Sequence, residues 1–204
     1  MTTDWTAPAS EERIQRAAEA LRANNIEAVV VDTKDDAKRE ALARVPDGSE
    51  VYTGASLTLQ VTGITAALES LPTITWLRKE LLTMDRATQG RAMRKLVSAP
   101  DVMLGSVHAV TEDGHLLIAS ATGSQLGSMV SGAGKVIWVI GAQKIVTDVA
   151  EGLRRIHEHS LKLESERLQK AIGRDSHVNK VVITYREGAA GRSTAIIVRE
   201  AIGY

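Results

Sequence analysis

Residues 101–148 carry most of the side chains that could bind a ligand or move a proton. Apolar runs in this stretch end in small or hydroxyl residues, which allow a ligand to approach the backbone closely. His108 lies near the end of one run, where its imidazole could bond a ligand or shuttle a proton, or could simply pack with its own hydrogen bond. Lys144 follows a later run and could neutralise an anion, or could be salt-bridged or solvated. These side chains indicate a binding site but do not define a reaction.

A second group of polar residues occupies 121–125, between a predicted strand and a predicted helix. Hydroxyl groups and backbone amides at such a junction could hold a phosphate or carboxylate at the positive end of the helix, with Gln125 beside it. The same residues are compatible with plain capping by Thr122 or Ser124, in which Gly123 only serves the turn. Both interpretations stay open from the sequence.

Glu112 lies in the turn 111–114, which reads Thr-Glu-Asp-Gly between two apolar runs. Asp-Gly in this setting predicts a β-hairpin. If the turn faces a crevice, the Glu112 carboxylate could serve as a nucleophile or general base. Otherwise it is a solvated turn residue.

Composition and charge exclude several classes of site. The chain has 25 Lys and Arg against 25 Asp and Glu, which argues against nucleic acid as the main partner. It has no cysteine, so it cannot form a disulfide, a thiolate zinc site or a cysteine-ligated iron–sulfur cluster. We find no catalytic triad, metal cluster or standard phosphate loop, and expect no metal or cofactor within the chain. The amino end lacks a secretion signal and residues 136–142 are too short to span a bilayer, so we expect a cytoplasmic protein without a membrane partner.

Helices and strands alternate along most of the chain. The patterns predict strands at 28–31, 50–53, 74–77, 102–110, 115–120, 136–140, 181–185 and 194–198. They predict helices from Ser10 to about 24–25, at 35–45, over a segment that places Val61, Ile64 and Leu68 on one face, at 78–97, at 125–131, after a Thr147 cap, and at 161–172. The 78–97 segment is expected to be helical and solvent-facing, or a mobile lid.

This alternation predicts an α/β fold, a layered domain around a central mixed, largely parallel sheet. We expect one domain over residues 1–204, with residues 1–9 flexible. In such folds ligands bind beyond the carboxyl ends of strands, which marks the junctions 53–58, 120–125 and 141–147. The side chains predicted to line the crevice are Ser56, His108, Thr122, Gly123, Ser124, Gln125 and Lys144.

Several short motifs occur together in an order and spacing that resemble the LUD-domain family, the lactate-utilisation proteins of bacteria. The segments that carry the resemblance are 111–114, 121–125, 141–146, 178–180 and 198–204. The likeness extends from about Ser10 to the last residue. It implies the fold of the isomerases and coenzyme A transferases.

The resemblance further implies a non-redox subunit or ligand-binding component in a multi-protein system that oxidises L-lactate to pyruvate. Iron–sulfur proteins are the implied partners, and a small anion is the implied ligand. The lack of cysteine in this chain agrees with that division of labour. The sequence departs from the family in one segment, 58–63, where relatives often carry an acidic residue and this chain has Gln60 and Val61.

The implied fold leaves an alternative open. Coenzyme A transferases of this superfamily use a glutamate followed by Asn-Gly or a similar pair, and Glu112 is followed by Asp-Gly. The chain could therefore be an enzyme of the transferase or sugar-phosphate isomerase type, with Glu112 acting on an acyl-coenzyme A or a phosphorylated substrate.

Overall fold

Six parallel strands form the central sheet in the computed structural model, which describes residues 4–204. Across the sheet they run in the order β1 (Glu27–Val31), β10 (Ser193–Val198), β7 (Lys135–Gly141), β4 (Val102–Gly105), β2 (Glu50–Thr53) and β3 (Thr75–Trp76). Since all neighbouring pairs are parallel, their carboxyl ends share one edge. Residues 1–3 of the segment expected to be flexible lie outside the described part.

A second sheet within residues 4–204 contains the predicted hairpin. Its strands follow the order β8 (Ile145–Val146), β5 (Ala109–Thr111), β6 (Leu116–Ser120) and β9 (Lys180–Thr184). β5 and β6 are antiparallel, and Gly114 in their turn has φ +76°, which favours glycine. The α/β class is therefore confirmed, while the antiparallel pairing lies beside the parallel sheet and not within it.

One strand prediction is wrong where the chain changes from the first sheet to the second. Residues 102–110 do not form one strand, because β4 ends at Gly105 and the chain crosses to the second sheet before β5 begins. Val107, in the connection between β4 and β5, is 1% exposed. The apolar pattern therefore continues past the end of β4 and gives no sign that the strand ends there. β9 and β10, which the sequence predicts as the last two strands, belong to different sheets.

The helices lie on both faces of the central sheet and against the second one. They are α1 (Glu11–Ala23), α2 (Lys34–Ala43), α3 (Leu57–Val61), α4 (Ile64–Ser70), α5 (Leu77–Thr83), α6 (Arg86–Ser98), α7 (Val149–Arg155) and α8 (Leu161–Ile172). Single π-helical turns occupy Ser128–Gly132 and Ile156–Ser160, the second of which joins α7 to α8. None of the helices in residues 4–204 is both long and apolar enough to cross a membrane.

Local signals explain most helix ends and correct two predictions. Ser10 caps α1 as predicted, its side chain accepting from the Arg13 amide. The predicted helix around Ile64 is two helices, because Gly63 takes a left-handed conformation between α3 and α4; Val61 is 43% exposed and does not share the buried face. Asp148, not Thr147, caps α7.

The packing of β7 shows why its sequence is almost continuously apolar. Val136, Trp138 and Ile140 face the core beneath α1. Ile137 and Val139 face the opposite core, beneath α2 and α4. Successive residues of a strand point to opposite faces, and both faces are covered here. Because apolar cores cover both faces of the sheet, polar side chains lie beyond the carboxyl ends of its strands.

Candidate functional site

A cavity of about 290 Å³ lies beyond the carboxyl ends of β2 and β4. The second sheet, the π-helical turn Ile156–Ser160 and α8 line its other sides. This is the location at which open α/β sheets bind ligands. The lining includes residues 54–58, 105–108, 118–122, 124–125, 176–178, Gln60, Met129, Lys144, Ile156, Ser160, Leu161, Glu164, Arg167, Leu168 and Tyr204.

Lys144 lies at this cavity with its side chain almost completely buried, at 1% exposure. Its ammonium nitrogen donates to Thr58 Oγ1 and Ser106 Oγ, both at 3.0 Å, and to the Val107 carbonyl at 3.2 Å. Burial lowers the pKa of Lys144 well below its usual value, and the positive charge of Arg155 lowers it further. The amine is therefore held entirely by neutral oxygen atoms.

Arg155 is a second buried cation next to the cavity wall. Its Nη1 donates to the His108 carbonyl and to Ser160 Oγ. Its Nε and Nη2 have no hydrogen-bond partner in residues 4–204, and burial lowers its pKa to about 10. Within that range neither Arg155 nor Lys144 pairs with a carboxylate. Holding both groups as cations without a counter-charge is energetically costly, which the lowered pKa of Lys144 reflects, and an anion bound at this place would offset that cost.

His108 also lines the cavity. Its Nδ1 accepts a hydrogen bond of 3.1 Å from the Ala119 amide, so the ring hydrogen is assigned to Nε2. Burial lowers the pKa of His108 to about 3, with further lowering by Lys144 and Arg155. The imidazole is thus neutral near pH 7 and offers an N–H donor rather than a proton for acid catalysis.

We predict that the His108 ring does not titrate between pH 8 and pH 5. Its ¹⁵N resonances should keep the pattern of an Nε2–H tautomer, whereas histidine in the urea-unfolded chain titrates near pH 6.5. As pH falls, the imidazole of His108 is protonated in the unfolded chain before it is protonated in the folded one. The His108 contribution to stability is therefore present above about pH 6.5 and is lost as pH falls towards 3. A His108 titration in the folded protein with a midpoint above pH 5 would contradict the assignment.

Glu164, Arg167 and Tyr204 form a hydrogen-bonded group on the helical side of the cavity. The Glu164 carboxylate accepts two hydrogen bonds of 2.7 Å from Arg167 and one from the Tyr204 hydroxyl. Burial raises the pKa of Glu164, but the bonds from Arg167 and Tyr204 outweigh it and the net shift is downward. Burial and the neighbouring carboxylate raise the pKa of Tyr204. This carboxylate is satisfied by its own partners and does not pair with the buried cations.

Hydrogen bonds from Gln143 hold the C-terminal residues 202–204 at the cavity. Its Nε2 donates to the Ile202 carbonyl at 3.0 Å and to the Gly203 carbonyl at 2.9 Å. Gly203 has φ +65° and packs so closely on Thr58 that a Cβ atom would lie 2.2 Å from Thr58 Oγ1. The tail therefore contacts the same hydroxyl that holds Lys144.

The loop 120–125 is organised by its own hydrogen bonds. The Gly123 amide donates to Ser120 Oγ at 2.9 Å, and Ser120 donates to Gln125 Oε1 at 3.2 Å. Thr122 Oγ1 accepts from the Ser124 amide at 3.3 Å. Thr122, Ser124 and Gln125 line the cavity, whereas Gly123 supplies the turn with φ +82°.

The structure brings together most of the residues predicted from sequence. Ser56, His108, Lys144 and the three side chains of the 120–125 loop all line the cavity. Gln60, from the 58–63 segment singled out in the sequence, lines it too. Both π-helical turns of the described chain contribute to the wall, through Met129, Ile156 and Ser160; such turns occur frequently at functional sites.

Glu112 lies elsewhere, contrary to the prediction that its turn could face the crevice. Its carboxylate is 2.5 Å from Arg13 Nε and 2.5 Å from Arg16 Nη1, both on α1. The side chain is 12% exposed and is absent from the cavity lining. The hairpin packs on α1, since a Cβ atom at Gly114 would lie 2.5 Å from the Ala20 backbone. This geometry gives Glu112 a structural ion pair.

We predict that Glu112→Gln lowers the free energy of unfolding by about 1 kcal/mol, because the two arginines it pairs with are partly solvated. Binding at the cavity should not change. Glu12→Gln is the matched control: Glu12 is 80% exposed and bonds the same Arg16, so its loss should be close to zero. Urea unfolding measures both. If Glu112→Gln instead removed an acyl-transfer activity of the wild-type protein without affecting stability, a catalytic role would be indicated.

Sequence reasoning misses several residues at the site, and Arg155 is the most important of them. The signal that could have found it is periodicity: Gly152, Arg155, Ile156 and Ser160 are all buried at spacings of three and four, so the arginine occupies the inward face of its helix. Glu164 and Tyr204 carry no such signal, because α8 reads as a solvated amphipathic helix and the tail has no periodic pattern.

Comparison with solved structures finds a protein of similar fold. A solved duf162 family protein from Deinococcus radiodurans is similar, with a TM-score of 0.55, 14% identity, and coverage of 94% of this chain and 99% of that one. A D-ribose-5-phosphate isomerase solved with phospho-erythronic acid has a TM-score of 0.42 at 15% identity, covering 83% and 95%. The δ subunit of eIF2B from Chaetomium thermophilum has a TM-score of 0.36 at 16% identity, covering 60% and 53%. A search of curated proteins finds no match.

The sequence profile of the LUD domain matches residues 14–195, which is most of the chain. That range begins in α1 and ends in β10, so it includes both sheets and nearly all of the cavity. The protein belongs to the LUD-domain family.

Proposed function

We propose that this protein is a cytoplasmic, non-redox component of bacterial L-lactate utilisation, in which L-lactate is oxidised to pyruvate and partner proteins carry the iron–sulfur clusters. Membership of the LUD-domain family supports this role. The absence of cysteine also supports it, because the chain has no thiolate with which to hold a cluster. In this proposal the chain contributes a ligand site and its partners contribute electron transfer.

The ligand of that site, in our proposal, is a small organic anion. The observation that carries this is the pair of buried basic side chains, Lys144 and Arg155, which have no carboxylate partner in the described chain. An anion beside them would offset the cost of burying both charges. A cavity of about 290 Å³ suits a small metabolite such as a hydroxy or oxo acid. Ser56 and Ser106 present hydroxyl groups on the cavity wall, the second of which also accepts from Lys144.

Calorimetric titration with L-lactate and with pyruvate tests the ligand proposal. Both are expected to bind at one site, and lactamide, the neutral amide of lactate, is expected to bind far more weakly because it lacks the charge that the cations require. Equal affinity for lactate and lactamide, or binding of none of the three, would refute an anion site.

The cellular role is tested in the native organism. Deletion of the gene should impair growth on L-lactate but not on pyruvate, and affinity purification of the tagged protein should recover iron–sulfur proteins. Normal growth on L-lactate together with recovery of no iron–sulfur partner would refute the role.

A further inference from the structure

The Lys144 amine has an unusual combination of properties for a binding residue. It is 1% exposed, it lies at a cavity, and each of its hydrogen-bond partners is a neutral oxygen. A lysine whose only task is to carry charge is normally solvated or paired with a carboxylate. Burial next to another cation is instead the environment that makes a lysine nucleophilic.

We propose that Lys144 captures small 2-oxo acids covalently, through an imine between its amine and the ketone carbon. This inference rests on the proposed anion site and names its substrate class. The cavity that Lys144 lines, and the contacts that hold its amine there, carry the proposal.

The surroundings of the amine suit both of its protonation states. The hydroxyls of Thr58 and Ser106 can accept a hydrogen bond from the ammonium form, and they can rotate to donate one to the neutral amine. The lowered pKa of Lys144 means that the neutral, nucleophilic form is populated nearer to neutral pH than in a solvated lysine. The backbone carbonyl of Val107 accepts in either state and keeps the nitrogen in position.

The reaction balances without an oxidant or reductant. Lys144 Nζ forms a bond to the ketone carbon as the carbon–oxygen double bond opens. The ketone oxygen then leaves as water together with the two hydrogens of the neutral amine, and a carbon–nitrogen double bond remains. A proton taken up from solvent converts the imine to an iminium cation, so a positive charge stays beside the carboxylate of the bound acid.

The nearby groups favour a 2-oxo acid over a simple ketone or aldehyde. Its carboxylate is bonded to the reacting carbon, so on capture the negative charge lies beside the new carbon–nitrogen bond, where the charge of Arg155 already acts on Lys144. The neutral His108 offers an Nε2–H donor on the same wall. The small volume of the cavity restricts the acid to a short chain.

Reductive trapping tests the proposal with pyruvate as the probe. Wild-type protein is incubated with pyruvate and sodium cyanoborohydride, then its intact mass and its peptides are measured. We expect one adduct per chain, with a mass gain of one pyruvic acid less one oxygen atom, mapped to Lys144. L-Lactate, which has no ketone, should reduce labelling by competition. Absence of the adduct, or its spread over surface lysines without preference for Lys144, overturns the proposal.

Variants provide the matched comparison. Lys144→Met and Lys144→Arg should both lose the adduct, and Lys162→Arg, at an exposed position on α8, should keep it. Peptide mapping on the wild-type protein gives the answer even if a Lys144 variant folds poorly. Calorimetry on the same preparation separates the anion site from covalent capture. Lactate binding without a pyruvate adduct overturns covalent capture and retains the anion site. Binding of neither acid overturns both.

Discussion

Lys144→Met is expected to weaken binding of L-lactate by roughly 10- to 100-fold, the largest effect on binding that we predict. Methionine has a similar length and leaves the cavity shape nearly unchanged, so the loss reports the amine itself. Titration calorimetry measures the change. Lys162→Met is the control, because Lys162 is an exposed lysine of α8 that does not line the cavity. Unchanged lactate affinity in Lys144→Met would show that the anion does not bind at this amine.

The same variant has a distinctive pH profile. The pKa of Lys144 is lowered in the folded protein, so between that value and the usual 10.5 the unfolded chain holds a proton that the folded chain does not. Stability of the wild type should therefore rise, relative to Lys144→Met, as pH increases from 7 towards 10. Urea unfolding at several pH values checks the sign. A difference that falls over this range would contradict the lowered pKa.

Gly203→Ala is expected to lower the free energy of unfolding by about 2 kcal/mol and to weaken lactate binding. The left-handed backbone at this residue disfavours alanine, and the new Cβ would collide with Thr58 Oγ1. The loss in free energy of unfolding is limited because the C-terminal residues can detach from the site. Detachment removes mainly the burial of Ile202 and the hydrogen bonds from Gln143. Binding suffers because Thr58 also holds Lys144.

Gly188→Ala is the matched control for that substitution. Nothing lies within 4 Å of a Cβ atom built at Gly188, and its φ is not in the left-handed region. Thermal unfolding and lactate titration of the two variants should therefore separate: Gly203→Ala loses stability and affinity, and Gly188→Ala keeps both. Equal behaviour of the two would show that the tail does not close the site.

The parts of the fold that could be predicted are those governed by local chemistry. Ser10 caps α1, the Asp113-Gly114 turn makes the hairpin, and the apolar run of β7 is a buried strand. The change of sheet between β4 and β5 could not be predicted, because Val107 is as buried in the crossing as it would be within a strand. Periodicity reports burial and does not report which sheet a strand joins.

Some residues of the candidate site could likewise be predicted from the sequence, and others could not. His108 and Lys144 could be predicted because they follow buried strands, and the carboxyl ends of strands place such residues together. The position of Glu112 could not be predicted, because the sequence of a turn does not show which helix packs on it. Here α1 packs on the turn, and its two arginines lie about a hundred residues earlier in the chain. Pairings of this kind are set by tertiary structure alone.

A crystal structure with L-lactate at neutral pH tests most directly whether the buried basic side chains of this LUD-domain protein hold a small organic anion. We predict electron density for lactate inside the cavity, with its carboxylate within hydrogen-bond distance of Lys144 Nζ. Lactate bound at another surface, or a cavity that holds only water at a saturating lactate concentration, would contradict the account.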